Sequence, residues 1–361
     1  MNSEPRATPE EMFDDHQRES FPGLSASLMF DEGKRGEHPL RLTQETSEQT
    51  MKFIHRPVRI EPAFEDREAI RAMFARHAPY RAIAAYIPDA VADDATKPEA
   101  EQFVQPWFRG NWAAGGKPLV EGAEAILRNK QFLEAAKTLF GTSSVFPEFV
   151  VVNVNAPMPA GMIHVDIPAF HGATRKQYPL AFLRVMGSSG LFEKWRVLQA
   201  GAVAWFYEGA GGSFDYWPEG LDGPMLSEQA PFGNVALMAD NDRMHHRLGP
   251  IGDAHAAPPR ISASAQIQPA GDGDWAIVEN GEVRAAYPGG AIRLSLVWKA
   301  EVRDRELKDD VLSLDRVLAI FAADLRRRSV GFDMPSDPLT DAAWLLLLQR
   351  TYADPIRTWS E

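Results

Sequence analysis

Apolar residues recur at every third or fourth position through EDREAIRAMFARH (65–77) and GAEAILRNKQFLEAAKTLF (122–140), the repeat of a helix that buries one face. Gly141 stands where a helix C-cap would, so a helix is predicted in each stretch. The period then shortens. FVVVNVNAP, GMIHVDIPAF, LAFLRVM, VLQAGAVAWFYEG, GNVALMAD, RMHHRLG, RISASAQI and AIRLSLVWKAEV are short, rich in β-branched and aromatic residues and separated by Gly, Pro and Asp, which predicts a strand in each. Asn280-Gly281, between AIV and EVRAAY, predicts a hairpin. Beyond Val302 the helical period returns in LSLDRVLAIFAADLRRR and DAAWLLLLQRTY. Many short strands flanked by helices predict a mainly β fold, a sandwich or jelly roll over about 148–302, with a helical buttress over 65–141 and C-terminal helices over 307–352. Residues 1–50 are polar, charged and weakly periodic and read as an N-terminal arm, leaving 51–361 as a single domain.

Composition narrows the chemistry. The chain has no cysteine, so disulfides, thiolate metal sites, Fe–S clusters and a cysteine nucleophile are excluded, and His and carboxylates remain as the strong metal ligands. A net charge of -12 argues against affinity for nucleic-acid backbones or anionic membrane surfaces and points to a small-molecule substrate. The N-terminal stretch has early acidic residues and no apolar core, unlike a secretory signal, and the longest apolar run, AAWLLLL at 342–348, is too short to span a bilayer. A cytoplasmic location is expected.

The candidate chemistry lies in the β-rich middle. His164 and Asp166 occupy positions i and i+2 of GMIHVDIPAF, which a strand directs to one face. A third ligand must come from elsewhere, and NDRMHHRLGP offers His245 and His246; consecutive strand residues point opposite ways, so one of the two can join, and periodicity leaves open which. Two His and one carboxylate on one face of an octahedral ion leave three positions open, as Fe(II) oxygenases require for a cosubstrate and O2. His171 follows PAF and reads as a loop residue; His16, His38, His55, His77 and His255 have no partner pattern. The Trp205-Phe206-Tyr207 stripe reads as core with one polar tip, and the glycine-rich GAGGSFDYWPEGLDGP (209–224) as a loop lying over the barrel mouth.

In these residues the chain resembles the Fe(II)/2-oxoglutarate-dependent dioxygenases, whose motif is His-x-Asp, a distant His and then an Arg on the next core strand. The likeness covers roughly Phe149 to Ala300. It implies a double-stranded β-helix core, the jelly roll shared with cupins. His164, Asp166 and His246 would be the metal ligands, with His246 preferred over His245 because HRLGP matches the stretch after the family's distal His. The family's arginine, which holds the far carboxylate of 2-oxoglutarate and is often followed two residues later by Ser or Thr, matches Arg260 with Ser262; Arg293 with Ser295 repeats the arrangement on a later, more apolar strand, and spacing favours Arg260. The cofactors implied are Fe(II), 2-oxoglutarate and O2, and the reaction implied is oxidation, chiefly hydroxylation, of an unactivated C–H bond with release of succinate and CO2. Halogenating relatives lack the carboxylate that Asp166 supplies. A cupin-like metalloenzyme that does not use 2-oxoglutarate, and a metal-free binding protein on the same fold, are the other classes open to such a sequence.

Overall fold

The computed structural model describes residues 55–86, 103–253, 257–303 and 310–352; the predicted arm at 1–50 lies outside them. Its strands in chain order are β1 (Val58–Ile60), β2 (Tyr80–Ala82), β3 (Trp107–Ala114), β4 (Lys117–Pro118), β5 (Val145–Asn155), β6 (Leu198–Phe206), β7 (Phe214–Trp217), β8 (Leu226–Glu228), β9 (Ala236–Ala239), β10 (His245–Leu248), β11 (Gln266–Gly271), β12 (Asp274–Glu279), β13 (Glu282–Tyr287) and β14 (Arg293–Val302). They form an 11-stranded sheet in the order β1-β9-β6-β14-β5-β3-β2-β11-β12-β13, with β4 beside β3, and a 3-stranded sheet β10-β7-β8. Antiparallel bridges Met158↔Ile251 and His164↔His246 lay the segment 158–166 along β10 as a further member of the small sheet.

Taken in chain order, β5, the 158–166 segment, β6, β7, β8, β9, β10 and β14 are the eight staves of a jelly roll. The first, eighth, third and sixth are adjacent in one sheet (β5-β14-β6-β9), and the second, seventh, fourth and fifth in the other. Each stave except β8, which pairs with β7, therefore has a neighbour far away in sequence, as two interlocked Greek keys demand.

Alternation along the central strands sorts their side chains. Val150, Val152 and Val154 of β5, Ala200, Ala202, Ala204 and Phe206 of β6, and Leu294, Leu296, Trp298 and Ala300 of β14 join one core with the helices α1 (Arg67–Arg76), α2 (Ala123–Leu127) and α3 (Lys130–Phe140). The opposite face, carrying Val203, Trp205 and Tyr207, closes against Phe214 and Tyr216 of the small sheet in a second core. Burying each large apolar side chain stabilises by roughly 1.5–3 kcal/mol, and the Trp298 indole N–H also donates to the Leu127 carbonyl (2.8 Å), tying β14 to the helical layer.

The helices start where short polar side chains cap them. Asp66 accepts from the Ala69 N–H at 2.8 Å, and Asn129 accepts from the N–H groups of Gln131 (2.9 Å) and Phe132 (3.1 Å). That second cap explains a difference from the sequence reading: the helix predicted over 122–140 is two, because Asn129 ends α2 and opens α3. Gly141 closes α3 at φ 64, as its position predicts. The Asn280-Gly281 turn joins β12 to β13 with both residues at positive φ, the hairpin conformation that pair suits.

Four stretches differ from the strand pattern, and the first, GMIHVDIPAF, forms no regular strand but pairs through isolated bridges at His164 and Phe170. LAFLRVM belongs to α4 (Leu180–Ser189), whose Phe182, Leu183, Val185 and Met186 pack with Phe321 of α5 (Leu314–Arg327) and Leu348 of α6 (Ala342–Tyr352); a short apolar run buried on most sides has no period to separate helix from strand. RISASAQI is irregular up to Ala265, and strand structure begins at Gln266. Within 209–224, the four residues of β7 are all buried, so this stretch is in part a stave of the small sheet rather than a loop over the mouth.

Candidate metal centre

His164 and His246 face each other across the barrel wall through paired backbone bonds, His164 N–H to His246 O (3.0 Å) and His246 N–H to His164 O (2.9 Å). Their rings lie 4.5 Å apart, centre to centre. Asp166, whose N–H donates to the Asn241 carbonyl (2.8 Å), is on the same face, and one donor atom from each of the three side chains falls within 4.8 Å of the others. His246 is buried with Phe214 5.4 Å away, ring to ring. His245, one residue earlier, has the opposite orientation along β10, opposite Trp217.

Both imidazoles are steered in the same way. His164 Nδ1 lies 2.9 Å from the Met162 carbonyl and His246 Nδ1 lies 2.9 Å from the Met244 carbonyl. A carbonyl only accepts, so each Nδ1 carries a proton and each ring turns its Nε2 toward the centre of the cluster. Two nitrogen lone pairs and a carboxylate oxygen suit a borderline divalent cation such as Fe(II), with room for further ligands.

The electrostatics agree with that donor set. Burial, reinforced by His164, draws the His246 imidazole down to about 4, so it is neutral at pH 7. Burial alone would raise Asp166, but the Lys299 ammonium, followed by His246 and His164, holds its carboxyl well below the usual range. Lys299 Nζ lies 2.6 Å from Asp166 Oδ2 and 3.2 Å from Asp242 Oδ1, and the two acids keep it charged against the effect of burial. Asp242 is the weaker partner: burial first, and then Asp166, push it up despite Lys299. With Lys299 on Oδ2, it is Oδ1 that lies toward His246, 3.7 Å from its Nε2.

Lys299→Met leaves the buried Asp242 and the half-buried Asp166 without their cation. An expected loss of about 3–5 kcal/mol in urea unfolding of the metal-free protein follows, and added Mn(II) recovers part of it by supplying countercharge. A loss under about 1 kcal/mol, the scale of exposed pairs, contradicts this account of the cluster.

The two arginines are placed very differently. Arg293 begins β14, is buried, donates through Nε to the Gly212 carbonyl (2.7 Å) and has Phe232 beneath it at 5.8 Å. No carboxylate among the described residues pairs with it, and burial draws the guanidinium down to about 9. Gly212 sits at φ 69, and a Cβ there would come within 2.9 Å of Arg293 Cδ. Ser295 lies on the same strand face, buried, two residues nearer to Lys299. Arg260 is exposed, on the irregular stretch, over the Phe103 ring at 4.5 Å; its neighbour Ser262 is tied to Glu279 (2.7 Å) and Ser264 (2.9 Å). The structure therefore brings His164, Asp166 and His246 together, sets Arg293 and Ser295 on the inner face, and leaves Arg260 and Ser262 outside it. His171 lies apart from the cluster, its backbone joined to Trp195 and Leu312.

Lys299 and Asp242 are additions that the sequence reading did not single out. Alternation carries the signal for the first, because Arg293, Ser295, Val297 and Lys299 share one face of β14. For Asp242, in the buried Asp240-Asn241-Asp242 loop, no pattern gives it away.

No protein-family model matches the sequence, and no curated protein does. Among solved structures the chain is similar to an oxidoreductase of the 2OG-Fe(II) oxygenase family from Burkholderia pseudomallei, at 14% identity and a TM-score of 0.37 over 76% of this chain and 95% of that one. It is also similar to a prolyl-4-hydroxylase from Pseudomonas putida, at 13% identity and a TM-score of 0.36 over 72% of this chain and 98% of that one. A third is HygX from Streptomyces hygroscopicus with nickel, 2-oxoglutarate and hygromycin B bound, at 8% identity and a TM-score of 0.33 over 76% of this chain and 94% of that one. Identities this low leave the chemistry to be read from the chain's own side chains. Among the described residues, no helix is long and apolar enough to cross a membrane.

Proposed function

We propose that the chain is an Fe(II)- and 2-oxoglutarate-dependent oxygenase that hydroxylates an unactivated C–H bond of a small molecule, releasing succinate and CO2. The observation that carries this reading is the convergence of His164, Asp166 and His246 with both Nδ1 atoms already committed to backbone carbonyls. His164 Nε2, His246 Nε2 and one oxygen of Asp166 would hold the metal, and Fe(II) with 2-oxoglutarate and O2 would supply the oxidising power that no side chain possesses.

The protein's own part is orientation. The backbone carbonyls of Met162 and Met244 fix the imidazoles, and Lys299 fixes the carboxylate through its second oxygen. Arg293 is the better anchor for the far carboxylate of 2-oxoglutarate. It is a buried guanidinium with no anion beside it among the described residues, with the Ser295 hydroxyl two residues on along the same face, whereas Arg260 is exposed on an irregular stretch. Trp205, Phe214 and Phe232 wall this interior with apolar rings that exclude water. The donor set favours this reading over a cupin-like metalloenzyme, which normally offers three or four His, because the cluster among the described residues holds two.

Adding Fe(II) and then 2-oxoglutarate without oxygen is expected to produce a visible charge-transfer band, and admitting O2 to yield succinate in proportion to 2-oxoglutarate consumed. Metal binding with neither band nor succinate would favour the cupin-like class, and absence of metal binding the binding-protein class.

A further inference from the structure

Arg109 is the second guanidinium on the inner face. Register places it there: β3 pairs with β5 so that Trp107 meets Asn155 and Arg109 meets Asn153, while β5 pairs with β14 so that Asn155 meets Arg293 and Asn153 meets Ser295. Asn153 is buried, and its Oδ1 accepts from both the Trp107 indole (2.9 Å) and Arg109 Nε (3.2 Å). That contact aims the half-buried guanidinium but gives it no negative charge. No carboxylate among the described residues pairs with Arg109, although the chain carries 50 acids against 38 Lys and Arg. Asp166 is near enough to be felt: burial draws Arg109 down to about 10, and Asp166 opposes the fall while Arg175 adds to it.

Beside Arg109 is a cavity of about 230 Å³. Arg81, Arg109, Tyr86, Asn111 and Gln266 contribute to its wall, and no Asp or Glu does. Arg81 precedes Ala82 in β2 and faces Arg109 across the β2–β3 pairing. A cavity with two arginines and His77 among its lining residues and no Asp or Glu, in a protein of net charge -12, favours negatively charged guests. We propose that this cavity, with Arg109 at its inner wall, receives an anionic oxyacid group of the substrate, a carboxylate or a phosphate, and holds it beside the metal-binding cluster. This deepens the oxygenase reading and rests on it only for what happens to the substrate afterwards; 2-oxoglutarate has its own counter-ion in Arg293.

The probes are inorganic phosphate and acetate. Metal-free protein is titrated with each, following the melting temperature, and protein loaded with Mn(II) and saturating 2-oxoglutarate is titrated with phosphate, following ³¹P relaxation by the metal. The wild type is expected to respond saturably in both arms, the stronger of the two anions identifying the preferred group. Arg109→Met is expected to raise the half-saturating concentration roughly tenfold or more, the worth of one hydrogen-bonded charge, with Arg109→Lys in between and Arg260→Met unchanged. The proposal is overturned by a wild type that does not respond, by an Arg109→Met protein that responds like the wild type, or by loss of the phosphate response when 2-oxoglutarate is added. The metal-free arm does not depend on the oxygenase reading, whose failure appears instead as a missing Fe(II)–2-oxoglutarate band.

Discussion

Replacing His246 by alanine is expected to weaken divalent-metal binding by at least roughly a hundredfold, the upper range that even outer-shell partners of a metal site reach, whereas His245→Ala is expected to bind metal like the wild type. Adjacent residues make this comparison informative. His246 is buried against Phe214 and aims Nε2 at Asp166, while its neighbour has the opposite orientation along β10. Mn(II) titrations followed by electron paramagnetic resonance read the affinity directly, without any assumption about cosubstrate or substrate. Because the His246 imidazole is neutral at pH 7, the loss reflects a missing lone pair and not an altered charge. Equal effects of the two substitutions, or a reversed order, would remove the metal centre from this face of the barrel.

The second large effect concerns 2-oxoglutarate. Arg293→Met is expected to raise its dissociation constant roughly a hundredfold or more, since truncating one member of a buried charge pair costs about 2–5 kcal/mol, and Arg260→Met to change it less than about threefold, as exposed ion pairs do. Among the described residues the Arg293 guanidinium is buried with a carbonyl and an aromatic ring for company and no anion. Removing it is therefore expected to leave the melting temperature of the metal-free protein unchanged or higher, which separates lost binding from lost folding. Dissociation constants come from the anaerobic visible band. A large effect at Arg260 with none at Arg293 would overturn the assignment.

Much of this was legible in the residues, and the exceptions have physical causes. His164 and Asp166 are two apart on an extended segment, so alternation alone puts them on one face. The choice between His245 and His246 needs to know which side of β10 is inside, and that depends on pairing with a strand far back in the chain, β7. Sequence spacing favoured Arg260 because it counts residues, while a jelly roll is ordered by strand pairing. The chain makes the β11–β12–β13 excursion after His246 before it returns to the centre of the large sheet in β14. Arg260 precedes that excursion and Arg293 follows it. β3 was hidden in what read as a helical zone, because its inner face carries Trp107, Arg109 and Asn111, a mixed set with no clean alternation of apolar and polar. LAFLRVM fails for the converse reason, being too apolar to show a period, and β7 because four residues, one of them the buried Asp215, are too few to show one.

Strand β14 bears Arg293 at one end and Lys299 toward the other, with neighbours hydrogen-bonded along both edges. At about 3.4 Å per residue its six steps make a yardstick of roughly 20 Å, and inserting or deleting one residue between the two would turn one of them to the helical side. The separation between the His-Asp-His cluster and the Arg293 guanidinium is consequently locked by hydrogen-bond registry. Sequence change elsewhere in the barrel leaves that gauge unaltered as long as the pairings of β14 with β5 and β6 stand.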